Sequence, residues 1–334
     1  MEEFNIPVVL FIFKRYDTIK VILERIKKIA PKKIYLIADG PRNEEEEILV
    51  KKCREEVESN ITWNCQIVKN YADKNRGIYD RIGQGAKWVF TMEEKAIFLE
   101  DDNLPEITFF EYCKELLVKY ENDERIMWVN GTNYLTEFIP EDNSSYMFTK
   151  HLLPCGWASW SEKFSKYYDG ELSMFDNYYK KQLKYTYENK SLFKQQFQSI
   201  ASTKYKMEHN KQASWDFQMA FSLRINGMYG ISPSKNLIKN IGVDIYSEHG
   251  GNSFNSEMTR RFCGMESKPI QFPLKHPKIV LADHTYEMKI GKIILWPLRG
   301  RIMLKIGNVL KKILKINKYD SLSTILKERK SKRI

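Results

Sequence analysis

Residues 7–42 read PVVLFIFKRYDTIKVILERIKKIAPKKIYLIADGPR, and this stretch decides the fold class. The run from 7 to 13 is short, continuous and rich in β-branched and aromatic residues, which predicts a buried strand. Asp17 can cap a helix whose apolar residues recur at helical spacing, and Pro31 ends that helix. A second strand from Ile34 to Ala38 follows and closes on a D-G-P turn. Two strands joined by a helix predict a parallel β-α-β unit.

The alternation continues beyond this unit, so we expect an α/β domain with a mostly parallel central sheet. Ligands of such sheets bind beyond the carboxyl ends of the strands. The remaining elements that the sequence predicts are a charged helix at 44–58, a strand at Thr62–Lys69, a helix at 78–93, a strand at Ala96–Leu99, a helix at Ile107–Tyr120, a strand and polar turn at 126–135, a loop at 151–164, a helical segment at 171–212 followed by a further helix, and irregular chain at 231–255.

The bulk composition is that of a globular protein of 334 residues, 43% hydrophobic and 29% charged. Charge is uneven, since from Lys289 onward 14 basic residues face 2 acidic ones, within a chain whose net charge is +11. The five cysteines are odd in number and form no C-x-x-C pair, which favours reduced thiols in a cytosolic protein without a zinc site. The acidic Met1–Glu3 start argues against a signal peptide, and no apolar run suits a membrane-spanning helix.

The sharpest motif is FLEDDNLP, in which Glu100, Asp101 and Asp102 directly follow a predicted strand. Adjacent carboxylates repel one another unless a cation neutralises them, and Mg²⁺ and Mn²⁺ prefer oxygen ligands that they share with substrate phosphates. A metal held there can neutralise a departing diphosphate. The competing interpretation is an acidic helix cap before Pro105.

Further polar residues accompany the predicted strand ends. Asp39 either forms a turn before glycine or accepts a hydrogen bond from a nucleobase. Arg15 either is a surface cation or lines the same pocket. Arg76 and Arg81 either hold diphosphate oxygens or belong to a solvated face.

Two later residues suggest chemistry. Asp216 follows Trp215, and a carboxylate beside large apolar groups acquires the raised pKa that a general base needs; the alternative is a helix cap or an outward-facing Asp. His249 lies in the polar, glycine-flanked stretch YSEHGGNSF. It is either a metal or diphosphate ligand or an ordinary surface histidine.

Eight motifs follow one another along the chain: KR after the first strand, ADGPR, IYDRIGQGAKW, FLEDDNLPEITFFEYC, VNGTN, LLPCGWASW, SWDFQ and EHGGNSF. In this order they resemble the motifs of bacterial GT-A glycosyltransferases of surface-polysaccharide synthesis, such as lipopolysaccharide or capsule. The chain is also distantly similar to the N-acetylglucosaminyltransferase I family. The resemblance implies a GT-A (nucleotide-diphospho-sugar transferase) domain over residues 1–285. Its halves are a nucleotide-binding part, 1–105, and an acceptor and donor-sugar part, 106–285; a basic tail, 286–334, follows.

The same resemblance implies roles for individual residues. Asp102 coordinates Mn²⁺ or Mg²⁺, with His249 completing the metal or diphosphate shell. Glu100 and Asp101 face the ribose and base. Asp216 deprotonates the acceptor hydroxyl in an inverting displacement. The residues implied at the base are Asp39 and Arg15, with Arg76 and Arg81 as candidate donors to the diphosphate, and those implied at the acceptor and sugar pocket are Gly156, Trp157, Trp160 and Trp215.

The implied activity is that of a hexosyltransferase, with a UDP-sugar donor, N-acetylhexosamine first among the sugars, and a glycan or lipid-linked acceptor. Three alternatives remain at this stage. A nucleic-acid binder would use the basic tail, yet the body is near neutral and no recognition motif is visible, so nucleic acid is not expected as a partner. A nucleotidyltransferase would carry a glycine-rich loop after the first strand, which FKRYDT lacks. A catalytically inactive sugar-binding relative is the third.

The tail has apolar residues at helical spacing, with Lys and Arg between them, and Pro297 predicts two helical pieces. A cationic amphipathic helix with tryptophan is typical of binding to an anionic membrane surface. We therefore expect a cytoplasmic protein that is peripheral on the inner face of the plasma membrane. The alternative is a helix packed on the catalytic domain.

Overall fold

The computed structural model describes residues 3–243, 257–320 and 322. Its first part alternates strands and helices as the sequence predicts. These elements are β1 (Val8–Ile12), α1 (Tyr16–Lys27), β2 (Lys33–Ala38), α2 (Glu44–Asn60), β3 (Gln66–Tyr71), a π-helical turn (Tyr79–Gln84), α3 (Gly85–Val89), β4 (Lys95–Glu100), β5 (Asn103–Pro105) and α4 (Thr108–Lys119).

The rest of the described chain mixes short strands with helices. Its elements are β6 (Ile126–Asn130), β7 (Tyr146–Thr149), β8 (Trp157–Trp160), α5 (Ser161–Tyr167), α6 (Tyr179–Lys184), α7 (Lys190–Glu208), α8 (Asp216–Ile225), β9 (Tyr229–Pro233), β10 (Ile238–Asn240), α9 (Glu257–Phe262), α10 (His284–Ile294) and α11 (Leu298–Ile313). The predicted helical segment at 171–212 is therefore confirmed as α6 and α7.

Eight of these strands form one sheet, in the order β3-β2-β1-β4-β8-β6-β9-β7. Strands β1 to β4 pair in parallel, whereas β8 runs antiparallel to both of its neighbours and β7 runs antiparallel to β9. The structure confirms the α/β class. The sheet is parallel throughout the half that the opening sequence predicted and mixed in the other half.

Strand β1 shows why the first half forms so readily. All five of its residues are buried, because helices cover both faces of the sheet there. Leu10 packs with Ile19 and Ile22 of α1 on one face, while Val9 and Phe11 pack on the other. The carboxyl ends of β1, β2 and β4 consequently lie along one edge of the sheet, and the predicted polar residues follow these ends.

Two predictions about loops were wrong. Residues 151–164, predicted as a loop, contain β8 in the middle of the sheet and the start of α5. Residues 231–255, predicted as irregular, include β10, which pairs antiparallel with β5. These strands are three or four residues long, and neighbouring Gly and Pro conceal such short patterns.

The two C-terminal helices are separated at Pro297, as predicted. They differ in packing, since Tyr286 and Ile290 of α10 are fully buried against Met147 and Leu153, whereas α11 buries no residue. The sequence grouped both helices into one tail, but α10 belongs to the packed body. In the described residues no helix combines the length and the apolar character required to cross a bilayer.

Candidate functional site

The candidate site is built on the end of β4, where Glu100, Asp101 and Asp102 follow one another; we call these three residues the acidic edge. The parallel pairing of β1 with β4 brings Arg15 to the same place. Its guanidinium Nη1 lies 2.9 Å from Asp102 Oδ2 and 3.3 Å from Asp101 Oδ1. The backbone N–H of Phe13 donates to Asp101 Oδ2 at 2.9 Å. The structure thus joins two motifs that are more than eighty residues apart.

The electrostatics of the acidic edge show a surplus of negative charge. Burial raises the pKa of Glu100 well above its ordinary value, and the carboxylates of Asp102, Asp101 and Asp216 raise that pKa further. Burial also raises the pKa of Asp101 to about 6, although Arg15 opposes this shift. Carboxylates that lie close together away from water repel one another, and a hard divalent cation that binds their oxygens removes this repulsion. The residues of the acidic edge therefore fit Mn²⁺ or Mg²⁺.

Asn103 is a site residue that the sequence reasoning missed. Its Nδ2 donates to Asp102 Oδ1 at 2.6 Å, and its Oδ1 accepts from the backbone N–H of Gly156 at 2.8 Å. The residue is buried, so it fixes the orientation of Asp102 and ties the acidic edge to the chain entering β8. An amide directly after three carboxylates was the available signal.

Gly242 is the second residue that was missed. The backbone N–H of Ile241 donates to the carbonyl of Asp102 at 2.9 Å, which lays this segment across the acidic edge. A Cβ added at Gly242 would lie 2.3 Å from Asp102 Oδ2, so only glycine allows this approach. His249, predicted as a ligand, lies outside the described residues.

Asp216 is the first residue of α8 and follows the buried Trp215. The ring of Trp157 stacks 3.8 Å from Phe98 of β4 and 5.7 Å from Trp215, measured between ring centroids. This column of rings connects the core of β4 to the start of α8. It brings Asp216 close enough to Glu100 for the two carboxylates to interact electrostatically.

The residues predicted for the sugar pocket separate in the structure. Trp157 and Trp215 lie together on one face of the sheet, whereas Trp160 packs on the opposite face, where its indole N–H donates to the carbonyl of Leu117 at 2.8 Å. Gly156 has φ +62° and stands against Ile238, where a Cβ would approach to 2.5 Å. All three indoles are buried, so they support the site as core residues.

Asp39 is buried at the end of β2, where its carboxylate accepts from four donors. The donors are the backbone N–H groups of Gly40, Arg76 and Gly77 and the amide of Asn75, at 2.8 to 2.9 Å. The geometry makes Asp39 the residue that holds the 75–77 loop. Any contact with a nucleobase stays a prediction.

The two arginines beside that loop differ from each other. The side chain of Arg76 is 60% exposed, and its nearest described ion pair, with Asp80, is long at 3.9 Å. Arg81 is buried, and its Nη2 donates to the carbonyl and side-chain oxygens of Asn70 at 2.6 and 3.0 Å. Arg76 is therefore the more available of the two for a diphosphate.

A second group of titratable side chains, which we call the buried triad, consists of His151, Glu188 and Glu287, whose ligand atoms lie within 4.8 Å of one another. Arg224 Nη2 lies 3.3 Å from His151 Nδ1. Because a guanidinium only donates, Nδ1 accepts and Nε2 carries the proton. Burial lowers the pKa of His151 to about 3, so the ring is neutral. In this tautomer Nε2 points its proton toward Glu287, whose Oε2 lies 3.7 Å away.

No protein-family model matches the chain, and no curated protein matches it. Solved structures that it resembles include three enzymes. They are a 4-diphosphocytidyl-2C-methyl-D-erythritol synthase from Anaerococcus prevotii (13% identity, 52% of this chain and 79% of that one, TM-score 0.31), a UDP-glucose pyrophosphorylase in complex with UDP-glucose (11%, 71% and 94%, 0.36), and mouse xyloside xylosyltransferase 1 (8%, 66% and 80%, 0.33). At such low values no conclusion about substrate or reaction follows from them.

Proposed function

We propose that this protein is a metal-dependent, inverting glycosyltransferase that moves a sugar from a nucleotide-diphosphate donor to a hydroxyl of a glycan or lipid-linked glycan. One observation carries the proposal: the acidic edge, Arg15 and the start of α8 with Asp216 converge at the carboxyl edge of the parallel strands. Ligands of α/β sheets bind at that edge.

In this proposal Asp102 holds Mn²⁺ or Mg²⁺, and the metal neutralises the departing nucleoside diphosphate. Asn103 and Gly242 keep the Asp102 carboxylate in place. His249 is proposed as a further ligand.

Asp216 is proposed as the general base that takes the proton of the acceptor hydroxyl. Its electrostatic interaction with Glu100 suits this role, because an attacking hydroxyl and a leaving diphosphate must both lie close to the metal. A single base acting on a single displacement gives inversion at the transferred carbon. The donor is proposed to be a UDP-sugar, with Arg15, Asp39, Glu100 and Asp101 near the nucleoside and Arg76 near the diphosphate.

The cellular setting is part of the proposal. A cytoplasmic enzyme at the inner face of the plasma membrane would meet lipid-linked acceptors of surface-polysaccharide synthesis. All five cysteines are free thiols, which suits a reducing compartment.

The test is a calorimetric titration of the whole chain with UDP, first with Mn²⁺ and then with EDTA. We expect binding that needs the metal and falls at least tenfold in Asp102→Ala. The matched control is Glu111→Gln, an exposed carboxylate on α4, which should bind as the wild type does.

The outcomes separate the alternatives. Binding of UDP that is equal with and without metal, or unchanged in Asp102→Ala, contradicts the assignment of the metal to the acidic edge. Consumption of UTP and a sugar 1-phosphate, with release of pyrophosphate, would identify a nucleotidyltransferase instead. Metal-dependent binding followed by release of UDP from a UDP-sugar only when acceptor is added supports transfer.

A further inference from the structure

The helix α11 exposes its apolar side and turns its other side to the protein. Seven apolar residues of α11 are between 42% and 69% exposed. At 3.6 residues per turn they fall within an arc of about 140°. We call this arc the α11 face, and its members are Leu298, Ile302, Met303, Ile306, Val309, Leu310 and Ile313.

An ordinary surface helix buries such an arc against the core. The half-buried positions of α11 are instead Gly300, Arg301, Leu304, Gly307, Asn308 and Lys311, on the other side of the helix. This inversion means that packing on the body does not account for the apolar residues. A contiguous exposed apolar strip marks a surface that another phase or molecule covers.

Charge identifies what covers it. Helix α11 carries five basic residues and no acidic one. Three of the five, Arg301, Lys305 and Lys312, lie within about 60° of one edge of the apolar arc and flank it, whereas Lys311 lies on the side turned to the protein. Two copies of this chain facing each other here would bring like charges together, which opposes self-association. An anionic lipid surface satisfies both the apolar arc and its basic flanks.

A cavity lies between α7 and the side of α11 that is turned to the protein. It has a volume of about 780 Å³ and is lined by Lys180, Lys194, Lys311, Lys312 and Lys318 together with Phe193 and Phe197. These lysines add positive charge beside the helix, which agrees with an anionic rather than a neutral lipid surface.

The helix is also attached to the part of the chain that leads to the candidate site. After α11, Asp320 pairs with Lys211 at 2.6 Å, and the ring of Tyr319 lies 5.1 Å from that of Tyr205. One residue further, Gln212 donates to Asn75 at 3.2 Å, beside the loop that Asp39 holds. The end of α11 is thus connected through residues 205–212 to the segment of chain that leads to Asp216.

We propose that the α11 face binds an anionic membrane surface in the plane of the interface and holds the site beside a lipid-anchored acceptor. The first part stands without the proposed function, and only the acceptor rests on it. The helix α10, which the sequence grouped with α11, takes no part because its apolar residues are buried in the body.

The experiment is co-sedimentation of the full chain with vesicles of phosphatidylcholine alone and of phosphatidylcholine with phosphatidylglycerol. We expect at least tenfold stronger binding to the anionic vesicles, with affinity falling as salt is raised. Ile306→Ser combined with Val309→Ser should weaken that binding at least tenfold. The matched control combines Ile48→Ser with Val118→Ser, two exposed apolar residues on other helices, and should bind as the wild type does.

Each outcome decides the matter. Equal binding to neutral vesicles, no binding to either, or binding that the Ile306 and Val309 substitutions leave unchanged overturns the proposal. A concentration-dependent dimer that these substitutions abolish would show that a second copy covers the face instead. UDP titration of the same variant distinguishes the membrane proposal from the proposed function. Loss of vesicle binding with intact UDP binding concerns the α11 face alone, and loss of UDP binding with intact vesicle binding concerns the candidate site alone.

Discussion

Two groups of carboxylates in this molecule invite comparison, the acidic edge and the buried triad. Both bring ligand-type side chains together, yet their counter-charges differ. At the acidic edge, where Arg15 pairs with Asp101 and Asp102, burial raises the pKa of Glu100, and the carboxylates of Asp102, Asp101 and Asp216 raise that pKa further. In the triad two cations lie beside two carboxylates, since Arg224 contacts His151 and Lys150 lies 3.8 Å from Glu188.

The difference teaches that proximity of ligand atoms is a weak sign of a metal site. A cluster in which cations of the protein accompany the carboxylates can be structural, whereas crowded carboxylates with few described cationic neighbours are the better candidate for holding a further cation. Location agrees with this distinction. The acidic edge lies at the carboxyl ends of parallel strands, whereas the triad fastens α10 to the chain after β7.

The largest effect should come from Asp216→Asn, which removes the proposed base and keeps its shape. We expect the rate of transfer to fall by roughly 10²- to 10⁴-fold, with UDP affinity within about twofold, measured as released UDP and by calorimetry. Asp176→Asn is the matched control, since Asp176 accepts a hydrogen bond at the start of another helix. Full transfer in the Asp216 variant would remove this residue from the chemistry.

The triad should act on stability and not on nucleotide binding. Glu287 accepts from the hydroxyl of Thr149 and, at 3.0 Å, from the backbone N–H of Lys150. Glu287→Ala leaves the buried Thr149 hydroxyl and the part-buried Lys150 N–H without this acceptor, so we expect a loss of about 3 kcal/mol in the free energy of unfolding. Urea denaturation measures it, with the exposed Glu266→Ala as control. Unchanged stability would contradict a structural role.

Metal should distinguish the two groups directly. Saturating Mn²⁺ at a hundredfold excess over its dissociation constant stabilises a single site by about 2.7 kcal/mol. We expect this gain to disappear in Asp102→Ala and to persist in His151→Gln, with thermal unfolding as the measurement. Loss of the gain in the histidine variant instead would place the metal in the triad.

The smallest effect per measured step is a pair of opposite pH dependences, followed by urea denaturation in EDTA from pH 4 to 6.5. His151 has a pKa of about 3 in the folded chain and about 6.5 when unfolded. The unfolded chain therefore takes up the proton first as pH falls. The stability that neutral His151 provides is complete above pH 6.5 and declines toward pH 3, by at most ~1.4 kcal/mol per unit.

Asp101 should behave in the opposite sense. Its pKa is raised to about 6 on folding from about 3.9, so its stability contribution is present below that lower value and is lost as pH rises through 6. The difference between wild type and His151→Gln should thus shrink on acidification. The difference between wild type and Asp101→Asn should shrink on alkalinisation. Equal slopes in both variants would contradict the contrast between the two groups.

Much of the first half was predictable from local pattern. Continuous apolar runs such as β1 predict strands buried on both faces, and helical spacing predicts α1, because these periods follow from side-chain geometry. The acidic edge was predicted from its place after such a strand. Asn103 and Gly242 were not predicted. Asn103 matters because it contacts Gly156, which lies far away in the sequence, and Gly242 matters because its backbone approaches Asp102 closely.

What the sequence by itself determined is the β-α-β order, the acidic edge at the end of β4 and the break between the C-terminal helices at Pro297. Local period and turn chemistry suffice for these. Only the tertiary structure decided that β8 enters the sheet and that Trp160 and Trp157 lie on opposite faces of it. It also decided that Arg224 contacts His151 of the triad, and that α10 is buried while α11 is exposed. Those outcomes depend on which surfaces pack together, and a local sequence pattern does not specify the distant residues that a segment will contact.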